Sequence, residues 1–190
     1  MRRMQDFNIT AIMPSFNGFV PQALTSKYPG TKFEKASEWA SMDPYTRVTF
    51  VPSTDPLFVD LSKRFIELQN SMYRTSGHLD ASRSTPSHHY LLDLYNELNP
   101  TCMRVDCLQQ TTSSVMKALK AADPDAIWVM QGWFLLHRDI WQPAQTKAFF
   151  DGIRETNQGR DAFVIDLYSD VAPLWNITEG FFGIDWGWSM

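Results

Sequence analysis

The sequence contains little cysteine and no long apolar run. Cys102 and Cys107 are the only cysteines among 190 residues, so no disulfide framework can hold the fold together. No stretch of 18 or more apolar residues occurs, and no apolar signal segment follows the first six residues. We therefore expect no membrane span and no visible export signal. The spacing of the two cysteines is compatible with a small disulfide-closed loop or with two free thiols.

Basic patches and metal-ligand motifs are also missing from the sequence. The formal net charge is -4 and the lysines and arginines are scattered, whereas a nucleic-acid-binding surface needs concentrated positive charge. His88, His89 and His137 form no HxxxH or His/Cys motif. The GxSxG and Cys-His signatures of serine and cysteine hydrolases are absent. We expect no nucleic-acid partner, no metal and no cofactor.

Short apolar runs alternate with helical patterns along the chain. Runs of this length are typical of strands that are buried on both faces of a sheet. They extend from Ile9 to Pro14, Tyr90 to Tyr95, Ala126 to Met130, Ala162 to Tyr168, and Phe181 to Trp188. The clearest helical pattern begins at Asp55-Pro56, where a capping residue precedes proline at the first helical position. Its recurring apolar residues are Leu57, Leu61, Phe65, Leu68 and Met72.

This alternation predicts a parallel α/β fold, either an open doubly wound sheet or a closed eight-stranded barrel. No glycine-rich phosphate loop follows any strand, which favours the barrel. A barrel typically needs about 250 residues and eight strand-helix units. The sequence therefore predicts an incomplete (β/α)8 TIM-type barrel that occupies residues 1–190, with about five parallel strands. A loop-rich insertion is expected at residues 16–54.

A candidate catalytic pair follows the second predicted strand. Barrel enzymes carry their active-site groups at the carboxyl ends of the strands, and Asn96-Glu97 lies at such an end. Asn-Glu pairs recur among barrel glycosidases, because a carboxylic acid must protonate the departing glycosidic oxygen while an amide holds a sugar substituent. The alternative interpretation makes Glu97 a surface loop residue and Asn96 a turn former.

Two further sets of residues complete the candidate site. Gln131 and Trp133 follow the third predicted strand, and tryptophan offers a flat apolar face that stacks on a pyranose ring. Asp93, Asp166 and Asp185 each lie within an apolar run. Since a buried carboxylate needs hydrogen-bond partners, we expect these three to support the barrel interior rather than to react.

Three segments carry a resemblance to one enzyme family. Residues 12–21 read IMPSFNGFVP, residues 93–100 read DLYNELNP, and residues 127–133 read IWVMQGW, continued by WQPAQ at 141–145. In motif, order and spacing they resemble the alpha-N-acetylglucosaminidases of glycoside hydrolase family 89. The corresponding family motifs are a Gly-(His or Phe)-Val-Pro turn, Asp-x-Phe-Asn-Glu, Gln-Gly-Trp and Trp-x-Pro-Ala-Gln. The match extends over essentially all 190 residues and departs most at residues 101–106.

The resemblance implies retaining hydrolysis of terminal alpha-linked N-acetylglucosamine, with Glu97 as the general acid/base. It implies that Asn96, Gln131, Trp133 and Gly18 line the pocket, that the partner is a glycan, and that the location is lysosomal or secreted. The resemblance implies that the family's nucleophilic glutamate lies on a later strand, beyond residue 190. It also implies that an N-terminal domain, the barrel closure and a C-terminal helical domain are missing from residues 1–190. We therefore expect this chain alone to be inactive; a sugar-binding remnant of the family is the alternative.

Overall fold

The computed structural model describes residues 2–38, 47–75, 87–95 and 97–189. In chain order, its helices and strands are α1 (Arg2–Asp6), β1 (Met13–Pro14), β2 (Phe19–Val20), α2 (Leu24–Lys27), β3 (Glu34–Lys35), β4 (Thr49–Phe50), α3 (Pro56–Thr75), β5 (His89–Leu91), α4 (Val105–Ala122), β6 (Ile127–Gln131), α5 (Pro143–Arg154), β7 (Ala162–Asp166), α6 (Leu174–Ile177) and β8 (Asp185–Trp188). Short 3-10 helices follow β6, α5 and α6. None of the described helices is both long and apolar enough to cross a membrane.

Five parallel strands form the central sheet. Their order is β1-β5-β6-β7-β8, and every neighbouring pair is parallel. Each of the five predicted apolar runs contributes one strand, so the predicted parallel α/β arrangement is confirmed. Within the described ranges the sheet stays open, with β1 and β8 at its two edges.

The strands are shorter than the apolar runs that predicted them. The first run forms a strand only at Met13–Pro14, and the last begins with a 3-10 helix at Phe181–Gly183. Phe182 has a φ of 55°, a left-handed conformation that interrupts a regular strand. The second run leaves the sheet after Leu91, so the carboxyl end of β5 lies earlier than predicted.

The helix-facing side of the sheet holds the core. Tyr90, Trp128 and Ala162 lie in register across β5, β6 and β7 and are almost completely buried. The Trp128 indole donates a 2.7 Å hydrogen bond to the Leu92 carbonyl, which satisfies its one polar atom. Phe149 of α5 packs on Trp128 at 6.1 Å between ring centroids. Burial of such side chains is worth about 1.5–3 kcal/mol each, so this layer fixes the strands against the helices.

Helix α3 is confirmed, but the side of the helix that faces the core is not the apolar stripe that the sequence predicted. The Asp55 carboxylate caps it by accepting the Leu57 amide at 2.8 Å. The positions facing the core include Phe58, Ser62 and Ile66, one turn apart. Most of the predicted stripe lies elsewhere, and its exposed members are Phe65, Leu68 and Met72. Leu57 is the one predicted position that is buried, at 8% exposure.

The insertion at residues 16–54 is more ordered than its composition predicts. Its described part forms a three-stranded antiparallel sheet of order β2-β4-β3, in which Phe50 pairs with both Phe19 and Glu34. The Lys35 ammonium donates to the Thr49 hydroxyl at 2.8 Å across β3 and β4. The other described residues of the segment, apart from α2, are loop, so the loop-rich insertion is as predicted, and the small sheet is what the prediction missed.

The two cysteines are bonded. A disulfide joins Cys102 to Cys107, with 6.3 Å between their Cα atoms. It links the loop that follows β5 to the first turn of α4. Of the two alternatives that the sequence left open, the structure shows the small closed loop.

Close contact between α4 and α5 depends on Gly152. A methyl group added there would clash with the Gln109 carbonyl oxygen and the Thr112 hydroxyl, both on α4. We expect Gly152→Ala to lower the free energy of unfolding by about 2 kcal/mol or more, because a packed helix pair cannot move apart without losing other contacts. Gly30→Ala is the matched control, since no atom lies within 4 Å of its added methyl group. Urea unfolding followed by tryptophan fluorescence checks this, and equal midpoints for the two variants would contradict it.

Candidate active site

A cleft opens at the carboxyl ends of β1 and β5. Its volume is about 370 Å³, within the range of small-molecule sites. The lining residues are Pro14, Ser15, Asn17, Phe19, Leu91, Leu92, Asp93, Leu94, Glu97 and Leu98. Glu97 is solvent-exposed and belongs to this lining. The candidate acid/base is thus at the end of the parallel sheet where barrel enzymes hold their reacting groups.

The loop that carries Glu97 is anchored by hydrogen bonds in the stretch between Glu97 and α4. The Asn99 amide donates to the Ser37 hydroxyl at 2.8 Å, and the Thr101 hydroxyl donates to the Glu34 carboxylate at 2.7 Å. Both bonds join the loop to the β3 region of the antiparallel sheet. The disulfide at Cys102 follows directly. These ties restrict how far Glu97 can move from the cleft.

Asp93 marks the point where the backbone ladder between β5 and β6 ends. The Leu92 amide still donates to the Val129 carbonyl at 3.0 Å, but the Gln131 amide donates to the Asp93 carboxylate at 2.9 Å. Burial raises the pKa of the Asp93 carboxyl above its ordinary value, and the bond from Gln131 acts in the opposite direction. The sequence assigned Asp93 only a supporting role, yet its side chain also lines the cleft.

The structure places the predicted pocket residues differently. Gln131 is half-buried at the end of β6; its backbone amide bonds to Asp93, but Gln131 is not among the described residues that line the cleft. Trp133 is half-buried in the 3-10 helix Gly132–Leu136, with its ring centroid 6.1 Å from that of His137, and it is not among the described residues that line the cleft. Asn96 lies outside the described residues.

Gly18 acts through its backbone. Its φ of 98° favours glycine, and an added Cβ would lie 2.9 Å from the Val51 carbonyl oxygen. The Val51 amide donates to the Gly18 carbonyl at 2.8 Å. The chain therefore turns here so that Asn17 and Phe19, on either side, both line the cleft. Sequence reasoning missed these two residues, although their position beside an expected pocket glycine was a usable signal.

Asp166 and Asp185, the other two aspartates that lie in apolar runs, differ in their exposure to solvent. Asp166 is fully buried, and its carboxylate accepts the Leu174 and Trp175 amides at 3.2 and 3.1 Å. This supporting role matches the expectation. Asp185 is exposed on the edge strand β8, so the expectation of a buried carboxylate is wrong there.

One cluster with metal-ligand chemistry lies at the opposite, amino end of the sheet. Ligand atoms of His88, Asp123 and Asp125 lie within 4.8 Å of one another. The same Asp123 side chain bonds to the His88 ring at 2.7 Å, the Tyr90 hydroxyl at 2.8 Å and the Asp125 amide at 3.0 Å. These bonds explain the cluster as a network that ties β5 to the start of β6. The absence of a metal remains a prediction.

Comparison with known proteins identifies the family of this chain. The family model for the alpha-N-acetylglucosaminidase (NAGLU) TIM-barrel domain matches residues 1–190. The chain belongs to this family. Human alpha-N-acetylglucosaminidase is 28% identical over 190 residues, which are 99% of this chain and 24% of the human protein. The chain thus spans about a quarter of the length of this curated relative.

Solved structures show the same fold as this member of the alpha-N-acetylglucosaminidase family. A Clostridium perfringens family 89 glycoside hydrolase, in complex with its substrate GlcNAc-alpha-1,4-galactose, is 21% identical with a TM-score of 0.73. A complex with 2-acetamido-1,2-dideoxynojirmycin is 22% identical with a TM-score of 0.72. Each match covers 97% of this chain and 18% of the bacterial one. The open five-stranded sheet is therefore part of a TIM-barrel domain, as the sequence predicted.

The raised pKa of Asp93 makes stability depend on pH. The folded state favours the protonated carboxyl, so stability is greatest below the ordinary pKa of 3.8 and falls as the pH rises through the raised value. A tenfold difference in proton affinity between the folded and unfolded states corresponds to about 1.4 kcal/mol. The Asp93→Asn variant keeps an oxygen acceptor for the Gln131 amide but cannot ionise. We expect this variant to lose that part of the pH dependence above pH ~4, measured by urea unfolding across pH; an unchanged profile would contradict it.

Proposed function

We propose that the protein containing this chain is a glycoside hydrolase that removes terminal alpha-linked N-acetylglucosamine from glycans with retention of configuration. Family membership supports the substrate class. The observation that carries the proposal is the position of Glu97 in a cleft at the carboxyl ends of parallel strands. A carboxyl group held there can reach the oxygen of a glycosidic bond lying across the strand ends.

Glu97 serves as general acid and then as general base. In the first step it gives its proton to the departing glycosidic oxygen, while a carboxylate about 5 Å away attacks the anomeric carbon. In the second step Glu97 takes a proton from water, which releases the sugar from the nucleophile. The family resemblance indicates that the nucleophile comes from beyond residue 190. Access to solvent supports the second step, because the attacking water must reach Glu97.

The family resemblance implies that the remaining predicted residues bind and orient the sugar, although Gln131 and Trp133 are not among the described residues that line the cleft beside Glu97. Trp133 offers a half-exposed indole face directly after β6, and such faces stack on the apolar side of a pyranose ring. Asn96 and Gln131 supply amide groups for the sugar hydroxyl or acetamido substituents. Gly18 contributes by its turn, which sets Asn17 and Phe19 at the cleft wall.

The Glu97→Gln variant tests the role of Glu97. The substituted amide is nearly the same size as the carboxyl group but cannot donate the proton that the leaving oxygen needs. We expect the kcat for a methyl alpha-N-acetylglucosaminide, in the longest natural protein that contains this chain, to fall about 100- to 10,000-fold. Glu67→Gln, an exposed position on α3, is the matched control and should leave the kcat unchanged. A near-normal kcat for Glu97→Gln would show that another group is the acid.

A second prediction concerns residues 1–190 produced alone. We expect no measurable hydrolysis, because an acid without its partner carboxylate cannot stabilise the oxocarbenium-like transition state. The same assay, combined with calorimetric titration of N-acetylglucosamine, checks this. Turnover that co-purifies with the isolated chain would refute it. If the longer protein also binds the sugar without turnover, the sugar-binding remnant becomes the better description.

A further inference from the structure

A tripeptide of the form Asn-x-Thr follows the first helix and has no part in the proposed hydrolysis. Asn8-Ile9-Thr10 has the pattern at which asparagine accepts an N-linked glycan in secreted proteins, where such tripeptides lie in surface loops. The first predicted apolar run begins at Ile9, so the sequence places the tripeptide at the entry to a buried strand. The strand starts only at Met13, and the tripeptide therefore lies in the connection between α1 and β1.

All three residues of this tripeptide are exposed to solvent. Ile9 is 53% exposed, and Phe7, just before the tripeptide, is 74% exposed. The chain enters the core only at Ala11, which is buried. An N-linked oligosaccharide is bulky and hydrophilic, so the asparagine that carries it must face open solvent. Asn8 meets this requirement.

The end of helix α1 is made by backbone atoms at Asn8. Asn8 has a φ of 54°, in the left-handed region that asparagine and glycine adopt most readily. The Ile9 amide donates to the Met4 carbonyl at 2.7 Å, which is the bond that closes a helix around such a residue. The cap explains why asparagine or glycine is favoured at position 8. It makes no use of the Asn8 side-chain amide, and it does not explain the threonine at position 10.

A second tripeptide of the same form has different surroundings. Asn176-Ile177-Thr178 lies at the end of α6, and Thr178 is 1% exposed. The Thr178 hydroxyl donates to the Leu174 carbonyl at 2.7 Å and accepts the Phe181 amide at 3.1 Å. This threonine is engaged in the fold, whereas Thr10 is exposed. Of the two tripeptides, the one at Asn8 is therefore the surface-loop acceptor.

The disulfide favours the compartment in which N-linked glycans are added. Disulfides such as Cys102–Cys107 form and persist in oxidising compartments, which include the secretory pathway, and are rare in the reducing cytosol. N-linked glycans belong to proteins of the same pathway. The disulfide and the tripeptide are separate features of the sequence, and both indicate this location.

The tripeptide lies at the opposite end of the sheet from the cleft. The cleft is at the carboxyl ends of β1 and β5, where Pro14 and Ser15 belong to its lining. Asn8 precedes β1, on the connection from a helix to the amino end of a strand. A glycan attached to Asn8 therefore does not occupy the space beside Glu97.

We propose that Asn8 is an N-glycosylation site. The donor is an oligosaccharide joined to a lipid through a pyrophosphate group, and a transferase of the secretory pathway carries out the reaction. The side-chain nitrogen of Asn8 loses a proton to a base of the transferase and forms a bond to the anomeric carbon of the first sugar. The bond between that carbon and the pyrophosphate oxygen breaks, and the lipid pyrophosphate leaves. The inference does not depend on whether the protein hydrolyses glycosides.

Peptide mass spectrometry tests the occupancy of Asn8. The longest natural protein that contains this chain is directed into the secretory pathway of cultured eukaryotic cells. It is then treated with peptide N-glycosidase in water enriched in heavy oxygen, which converts a glycosylated asparagine to a labelled aspartate. We expect the label at position 8 in most copies of the protein and a lower occupancy at Asn176.

Three variants assign the glycan to this tripeptide. Asn8→Gly removes the acceptor but keeps a residue that adopts the left-handed conformation of the cap. Thr10→Ala keeps Asn8 and removes the hydroxyl group of the pattern. Each should lose one glycan, seen as faster migration in gel electrophoresis. Thr10→Ser is the matched control, because it keeps a hydroxyl group at the same position and should keep the glycan.

The outcomes decide the proposal without an activity assay. An unmodified Asn8 in folded wild-type protein would overturn it, and Phe7 and Ile9 would then be expected to face another part of the protein. A glycan at position 8 that persists in Thr10→Ala would also overturn it, since the tripeptide would not be the signal. Loss in both Asn8→Gly and Thr10→Ala, with retention in Thr10→Ser, would support it. Because the glycan is added before export, a variant that is not secreted is measured in cell extracts.

Discussion

The cleft depends on a single hydrogen bond between the Asp93 carboxylate and the Gln131 amide. The backbone hydrogen bonds between β5 and β6 continue as far as the Leu92 amide, just after β5. The next amide, that of Gln131, donates to the Asp93 carboxylate and not to a backbone carbonyl of the neighbouring strand. The exchange frees the chain after Asp93 to leave the sheet and form the loop that carries Glu97. This hydrogen bond requires the Asp93 carboxyl group to be partly buried. Burial disfavours the charged form of the group, which is why the pKa of Asp93 is raised. Below this bond the structure is a parallel sheet, and above it the cleft opens.

The two sides of that bond are stabilised by different interactions. Below it, Trp128 and Phe149 fill the space between sheet and helices, so the strand ends form a rigid platform. Above it, the loop is held by Tyr95, which packs on Trp141 at 5.6 Å between ring centroids, by polar bonds to the β3 region and by the disulfide at Cys102. A rigid platform with separately anchored loops keeps reacting groups in position while leaving them accessible.

The sequence predicts the five strands because continuous apolar runs between helical patterns are typical of parallel sheets, but it does not predict where they begin and end, since an apolar run alone does not separate a strand from a helical turn. It predicts the start of α3 because Asp55 and Pro56 form a local capping signal. It does not predict which side of α3 is buried, since Phe58 and Ile66 form one apolar stripe and Phe65 lies on another. The two-residue strands of the insertion are too short to show a period, so the sequence does not predict their antiparallel sheet. The place of Glu97 in the cleft could be predicted because its signal is a position, the end of a strand, and not a periodic pattern.

Asp93 and Glu97 line the same cleft, which raises the question of whether they form the catalytic pair. The structure argues against this for Asp93. One of its oxygens accepts a hydrogen bond from the Gln131 amide, and burial raises its pKa, which favours the neutral carboxyl group. A nucleophile must instead be ionised and free to approach the anomeric carbon. The proposed retaining reaction therefore needs a carboxylate from another part of the protein, and the match to 24% of the human relative leaves most of such a protein to supply it. In the proposed division of roles, Glu97 supplies the proton and the second carboxylate comes from elsewhere in the protein.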